Sequence, residues 1–558
     1  MKESAKGIGK KVGVIAQIAG VGALTGLFAG LVITCFVRLC SLAENFSSET
    51  FYGFFRNNPA FIPLLFLALL VGSVVIGGVM RFLPSVKGSG IPQTEGAAHG
   101  LFRFKWYEAI TGMFAAALFT IFMGLTAGSE GPSIMIGGGC GSLTNDLLKR
   151  DAIIRRYQVT SGACAGISVA FNAPLTGMAF AFEEAQKRFT PEVFVCSFSS
   201  VVVAILVRNL LGPLIGLNTL SFFSSYSFAG IEPWSFDYFM FLVYVVFAAA
   251  IVALVGVAFY YLVFFVKKLF GKSKLTRLCK GLFRVSIPFV LAGAFGLITA
   301  YVMGGGHHFI QSVGNLGSME RIFSSPVWVT LLIVVVLRFI ATVLNMGAGV
   351  PAGAFVPVLA IGAGLGALMS LLCGVMGMDE AYANALILVC MSVFFTSIVK
   401  APITGIVMVV ELTWNFTFLL PVIVGVAIGY LMGVVFRTEP IYDELWDQMY
   451  EELKKDRPIE KFTSKVRLTQ SGNAAGRELR DVLWPIGALI VKVVRGDEEI
   501  SPNGDTELYE GDILIVEGTT ADKAEYMASL EKTAGELIQD DPPHEEPPVE
   551  ELSEETKE

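Results

Sequence analysis

Between Ala109 and Asn145 the only ionisable side chain other than cysteine is Glu130, and it lies within Gly128-Ser129-Glu130-Gly131-Pro132. A carboxylate is costly in so apolar a stretch, and charges inside membrane segments characteristically face an ion or proton path. Its neighbours describe a helix start, with glycines that permit close backbone approach and a proline suited to the first turn. Two other segments share this build: Gly88-Ser89-Gly90-Ile91-Pro92 and Gly353-Ala354-Phe355-Val356-Pro357. Each start offers unpaired N–H groups and about half a positive charge. Three such ends converging without Lys or Arg would hold an anion loosely enough to release it. A cation would instead call for carbonyls or several acids. Helix breaks made for packing explain any one motif well, and the three together poorly.

The elements that must position these residues belong to a membrane. Of 558 residues 54% are hydrophobic and 16% charged, and the mean hydropathy is +0.65, which excludes an ordinary soluble enzyme. Apolar runs long enough to span begin near Val12, Phe61, Ala109, Phe194, Tyr238, Ile287, Val327 and Val422. The 59 glycines suggest broken helices around a cavity, where freed backbone is buried or meets an ion. The basic N-terminus (Lys2, Lys6, Lys10, Lys11) shows no obvious cleavage site and reads as cytoplasmic, as do the loops at Lys149 to Arg156 and Lys267 to Arg284. The net charge of -7 reflects a tail, since Asp540 to Glu558 holds nine acids and one lysine. The eight cysteines have no metal spacing and read as small core residues without disulfides. His307 and His308 form no metal or catalytic constellation and are expected in an extracellular or interfacial loop.

The chain repeats itself. Ala173-Pro174-Leu175-Thr176-Gly177, followed by Glu183, recurs at an offset of 228 as Ala401-Pro402-Ile403-Thr404-Gly405, followed by Glu411. Gly128, Pro132, Ile136, Gly137, Gly139, Gly141 and Leu143 find Gly353, Pro357, Ile361, Gly362, Gly364, Gly366 and Leu368 at an offset of 225. Two blocks in the same order at nearly one offset imply duplicated halves, whose interrupted segments meet near the midplane.

With these motifs in order, the chain resembles the CLC family of chloride channels and chloride/proton exchangers, whose signatures are GSGIP, GREGP and GxFxP. The resemblance runs from about Val12 to Trp446. It implies a helical polytopic fold of two inverted-topology repeats with broken helices, working as a homodimer with one pathway per subunit. The domain occupies residues 1–446, with halves at about 12–211 and 237–437. By resemblance, Ser89 and Tyr442 hydroxyls coordinate the central chloride, the N–H groups of Ala354 and Phe355 complete the site, and Gly90, Ile91 and Gly131 line it. Glu130 matches the gating glutamate, which contests the outer anion site when ionised. Glu184 falls where exchangers carry the internal proton-transfer glutamate. Glu183 is expected to make surface ion pairs with Lys187 or Arg188, and Glu411 to be structural. Exchange of chloride for protons is therefore expected, with a passive gated chloride channel as the alternative; enzymatic activity has no support. One departure stands out: Ser129 replaces the usual arginine, so Glu130 loses a positive neighbour.

After a linker at 447–464, residues 465–532 read as a small α+β domain. Strand-like runs at Leu489 to Val494 and Ile513 to Val516 alternate with turns at Pro502-Asn503-Gly504-Asp505 and Glu510-Gly511-Asp512. The order of Gly476-Arg477-Glu478-Leu479, Pro485-Ile486-Gly487, Arg495-Gly496 and Gly511-Asp512 resembles the TrkA-C (RCK-C) regulatory domain. That resemblance implies dimerisation and a nucleotide regulator such as cyclic di-AMP, held by Trp484, Pro485, Ile486, Ile490, Arg495 and Pro502. A dimerising domain without a small ligand is the alternative. No cofactor, metal or nucleic acid is expected; the transported ions and the bilayer are the partners, and a plasma membrane location is expected. The tail at 533–558, rich in Pro and Glu, reads as disordered.

Overall fold

The structure is a computed structural model describing residues 2–100, 105–150, 152–187, 190–217, 223, 225–228, 234–272, 282–456, 460–469, 472, 474–482, 484–485, 487–496, 498–520 and 523–538. Ile486, Arg188, most of the acidic tail and the centre of the second basic loop lie outside the described residues. Two compact units, Met1–Met449 and Tyr450–Glu558, divide the chain.

The first unit is helical. Its first half comprises α1 (Lys2–Asn45), α2 (Tyr52–Asn57), α3 (Ile62–Phe82), α4 (Ile91–His99), α5 (Met113–Phe122), α6 (Glu130–Leu148), α7 (Ala152–Phe171), α8 (Pro174–Phe180) and α9 (Pro191–Leu214). The second comprises α10 (Phe236–Lys272), α11 (Leu282–Ile298), α12 (His307–Val313), α13 (Val327–Ala348), α14 (Phe355–Val375), α15 (Ala383–Val399), α16 (Pro402–Thr413) and α17 (Leu419–Val435), followed by α18 (Ile441–Asp456). Among the described residues seven helices are long and apolar enough to cross a membrane. The runs read from Ala109, Ile287 and Val422 form shorter helices, whereas Phe355–Val375 and Glu380–Val399, broken up by Gly and small polar residues in sequence, are long enough to span.

The glycines have a second use that composition did not reveal. A Cβ on Gly137 would lie 2.1 Å from the Gly162 carbonyl oxygen, one on Gly141 2.0 Å from that of Gln158, and one on Gly166 2.3 Å from that of Ser133. These residues press α6 onto α7 backbone to backbone, the small-residue packing of helices that lack a hydrophobic drive in lipid. The repeat mates do likewise: Gly362 and Gly366 sit against Met391 and Ile387 of α15, at 2.9 and 2.7 Å from a would-be Cβ. Much of the glycine content therefore packs helices rather than lining a cavity. Of the seven described cysteines, all unpaired, six are buried and Cys35 is exposed.

The second unit holds an antiparallel sheet of β1 (Glu460–Leu468), β2 (Leu489–Arg495), β3 (Glu498–Ile500), β4 (Ile513–Thr520) and β5 (Gly535–Ile538), in the order β3-β2-β4-β1-β5. Val466 and Leu468 of β1, Val493 of β2 and Leu514 and Val516 of β4 alternate inward onto α19 (Lys523–Ala534), which contributes Tyr526 and Leu530. Both strand-like runs read from sequence are strands.

Candidate functional site

The duplicated glycines meet each other. Gly128 N–H donates to the Gly353 carbonyl at 2.8 Å, and Gly353 N–H to the Gly128 carbonyl at 3.1 Å. This antiparallel two-bond bridge joins the segments that lead into α6 and α14, residue to repeat mate, as an inverted repeat would. The third motif is tied to the same place. Gly88 N–H donates to Gly349 O at 2.9 Å, and a Cβ on Gly131 would lie 2.6 Å from the Ser89 carbonyl and 3.2 Å from Gly353 Cα. Gly90, at φ +86°, turns the chain into α4 where a side chain would strike Met135. Ser89, Gly131 and the Ala354–Phe355 helix start are thus gathered, and all are buried. Phe355 forms an apolar wall with Phe171, Phe180 and Phe395, at ring centroid distances of 5.2, 6.2 and 4.7 Å.

Tyr442 is 1% exposed on α18. Trp446, one turn on, lies against Gly96 of α4, where even a methyl group would approach the indole to 2.3 Å. That contact seats α18 beside the helix that starts after Ser89.

Glu130 is 1% exposed. Its Oε1 accepts from the Ser129 hydroxyl at 3.1 Å and stands 3.5 Å from His307 Nε2, while its Oε2 has no hydrogen-bond partner. The expectation that His307 lies in a loop, extracellular or interfacial, is corrected as to the loop: it opens the short helix α12 beside Glu130, across 177 residues of sequence. Sequence reasoning missed it because nothing local links the two; the Gly304-Gly305-Gly306 run leading to His307 was the only cue.

Glu183 and Glu184 are adjacent yet part company, because they sit in a π-helical turn, Ala181–Ala185. Such widened turns recur at functional sites. Glu184 is 1% exposed, with Oε1 lacking a partner. The turn that carries it packs against α4, which bears Glu95, a carboxylate 2% exposed with neither oxygen hydrogen-bonded. Sequence reasoning passed over Glu95 although it lies only three residues beyond Pro92.

Glu183 does something other than expected. It accepts from Ile403 N–H at 2.8 Å, Thr404 N–H at 2.7 Å and the Thr404 hydroxyl at 2.8 Å, capping α16. Glu411 reciprocates on α8, accepting from Leu175 N–H at 2.8 Å and from the Thr176 N–H and hydroxyl at 2.7 Å each. Each half therefore caps a helix of the other, and hydrogen bonds to a charged group contribute roughly 1.5–3 kcal/mol apiece. Lys187 pairs with Asp443 instead of Glu183.

In the sheet unit Trp484 donates Nε1–H to the Leu479 carbonyl at 3.0 Å and packs, with Ile490, against the core. Arg495 grips Asp512 with two hydrogen bonds, 2.9 and 2.8 Å, and lies 4.4 Å from the centroid of the Tyr509 ring. Its guanidinium is engaged within the domain, so a phosphate would share or displace it. Pro485 and Pro502 are half-buried.

Residues 71–434 match the family model for the voltage gated chloride channel, and residues 464–530 that for the TrkA-C domain. The chain is 30% identical over 433 residues to the H(+)/Cl(-) exchange transporter ClcA of Vibrio cholerae, covering 76% of this chain and 87% of that protein. To the protein of that name from Salmonella paratyphi B it is 28% identical over 435 residues, with 76% and 87% covered. Among solved structures it is similar to a slow cyanobacterial Cl-/H+ antiporter, with a TM-score of 0.69 at 22% identity, covering 78% of this chain and 98% of the other. A CLC-type fluoride/proton antiporter gives a TM-score of 0.60 at 17% identity, with 75% and 96% covered.

Proposed function

Because this chain belongs to the voltage gated chloride channel family, we propose that it exchanges chloride for protons across the membrane it spans. The observation that supports this reading best is the bridge between Gly128 and Gly353, which joins two helix starts with a buried carboxylate, Glu130, at the first residue of one. Helix starts supply partial positive charge without a fixed cation, so chloride is attracted and still leaves. The hydroxyls of Ser89 and Tyr442 and the N–H groups of Ala354 and Phe355 hold the anion, and the backbone of Gly90, Ile91 and Gly131 lines its path. Glu130 competes with chloride when ionised and releases the site when protonated. Glu184, with Glu95 beside it, receives protons from the opposite face; two acids facing each other favour sharing a proton over both ionising.

Purified protein in liposomes with a chloride gradient and a pH electrode tests this. Chloride flowing downhill is expected to drive protons uphill; rapid chloride efflux with no proton movement would make the protein a passive channel instead. The protein is read as a homodimer in a plasma membrane, with both termini cytoplasmic; mass measurement of the purified complex tests the first, and protease access in sealed vesicles the last.

The TrkA-C domain is proposed to bind a nucleotide such as cyclic di-AMP between Trp484, Pro485, Ile486, Ile490, Arg495 and Pro502. Supporting this are an apolar wall and a cation that suit a base and a phosphate. Equilibrium binding of radiolabelled cyclic di-AMP to the purified chain is the test. Saturable binding is expected, and none at about tens of micromolar, roughly 6 kcal/mol of affinity, removes the idea.

A further inference from the structure

We propose that His307 is the proton relay between Glu130 and the outer solution, and that as an imidazolium it supplies the positive charge that Ser129 does not. This rests on the exchange reading above. Three observations carry it. The imidazole Nε2 stands 3.5 Å from Oε1 of a carboxylate that is 1% exposed, while the His307 side chain itself is 36% exposed. The pair therefore spans the step from solvent to buried acid. Oε2 of Glu130 is left without a partner, so hydrogen bonding inside the protein does not fully satisfy the group.

Second, the segment that leads into His307 is held in place. Ala127 N–H donates to Gly304 O at 3.1 Å and Gly304 N–H to Leu125 O at 3.0 Å, knitting the loop before His307 to the segment that leads into Glu130. Arg338, fully buried on α13, donates to the carbonyls of Tyr301, Met303 and Gly305 at 2.6, 3.1 and 3.3 Å. Gly306, at φ +103°, packs against that guanidinium where a Cβ would lie 2.6 Å from Nη1. His308 turns elsewhere and stacks on Tyr301 at 5.3 Å.

Third, the surrounding charges accommodate a titrating cation. The groups that face His307 are Glu130 on α6, Glu44 on α1 and Arg338 on α13. With both carboxylates ionised, one permanent cation leaves the cluster negative, and protonation of His307 neutralises it. The relay is a simple transfer. A hydronium from the external solution gives its proton to Nε2 and becomes water; the N–H proton then passes to Oε1 of ionised Glu130, leaving a neutral imidazole and a neutral acid, and the reverse sequence discharges it. Histidine is suited to this because it titrates near neutrality.

The test compares the wild type with His307→Gln, His307→Lys and, as a control, His308→Gln in liposomes, over external pH from about 5 to 8. Wild-type chloride-driven proton flux is expected to inflect within that range, as a titrating histidine would make it do. In His307→Gln that inflection disappears and proton flux falls about 100-fold, the low end of what a positioned acid-base group contributes, with chloride flux retained. His307→Lys restores charge without the inflection, and His308→Gln follows the wild type. A wild-type profile and proton rate in His307→Gln would overturn the proposal. If the wild type moves chloride without protons, or moves neither, the exchange reading fails on its own. The pair is then judged by histidine NMR of the chain in nanodiscs: the His307 midpoint is expected to fall by about one pH unit in Glu130→Gln. An unchanged midpoint overturns the pairing.

Discussion

Glu130→Gln is expected to carry chloride while moving no measurable protons against it, a loss of about 100-fold or more in coupled proton flux. The amide has nearly the shape of the carboxyl group but neither binds nor releases a proton at any pH the protein survives. It fixes the side chain in the electrical state of the protonated acid. Repulsion of chloride from the α6 helix start then vanishes, and with it the reason for chloride and protons to take turns. Ser129, which donates to Oε1 at 3.1 Å, keeps an acceptor in the amide oxygen, so folding is spared. Glu184→Gln differs in kind. Its chloride flux is expected to be retained while proton flux is lost, because Glu184 is not among the groups read as holding chloride or contesting its site. Reconstituted vesicles reporting both ions read out both variants. Coupling that persists in Glu130→Gln would mean that some other group carries the proton.

The positions of these acids illustrate what sequence conveys. Glu130 was legible because a local pattern, glycine before and after with proline following, marks a helix start, and because its cost in an apolar stretch demands a use. The repeat was legible for a related reason: matched glycines at a constant offset survive in the chain whatever the distance between halves. What the offset did not say is that Gly128 would bond to its own counterpart, or that Glu183 and Glu411 would exchange helix caps. Those contacts follow from inversion of one half against the other, a property of three-dimensional symmetry with no local trace. His307 beside Glu130, Glu95 beside Glu184 and Arg495 on Asp512 were invisible likewise, since each joins residues whose separation carries no periodicity. The glycine count misled for a physical reason. Membrane helices lack a hydrophobic reward for associating and use glycine to bring backbones into contact, so abundance alone does not separate a packed seam from an ion path.

The second large effect lies at that bridge. Gly353→Ala is expected to lower chloride flux at least about tenfold, because a Cβ there would stand 2.4 Å from the Gly128 carbonyl oxygen, 2.9 Å from its carbon and 3.1 Å from the Pro132 ring. All are backbone or ring atoms, with no flexible side chain to swing away. Such overpacking costs roughly 1–3 kcal/mol, and relief requires the starts of α6 and α14 to part. Parting them breaks the bonds of 2.8 and 3.1 Å that hold the two helix starts together, and preorganised donors lose their effect once the distance grows. Gly374→Ala, within the helix that Gly353 precedes, provides the comparison: nothing lies within 4 Å of its added methyl group, and alanine is favoured over glycine in a helix by about 0.5–1 kcal/mol. That variant should transport as the wild type does and melt no lower. Size-exclusion profiles and melting curves of both proteins separate misfolding from a displaced site. Equal chloride flux in the two alanine variants would show that the anion path does not depend on the meeting of the duplicated glycines.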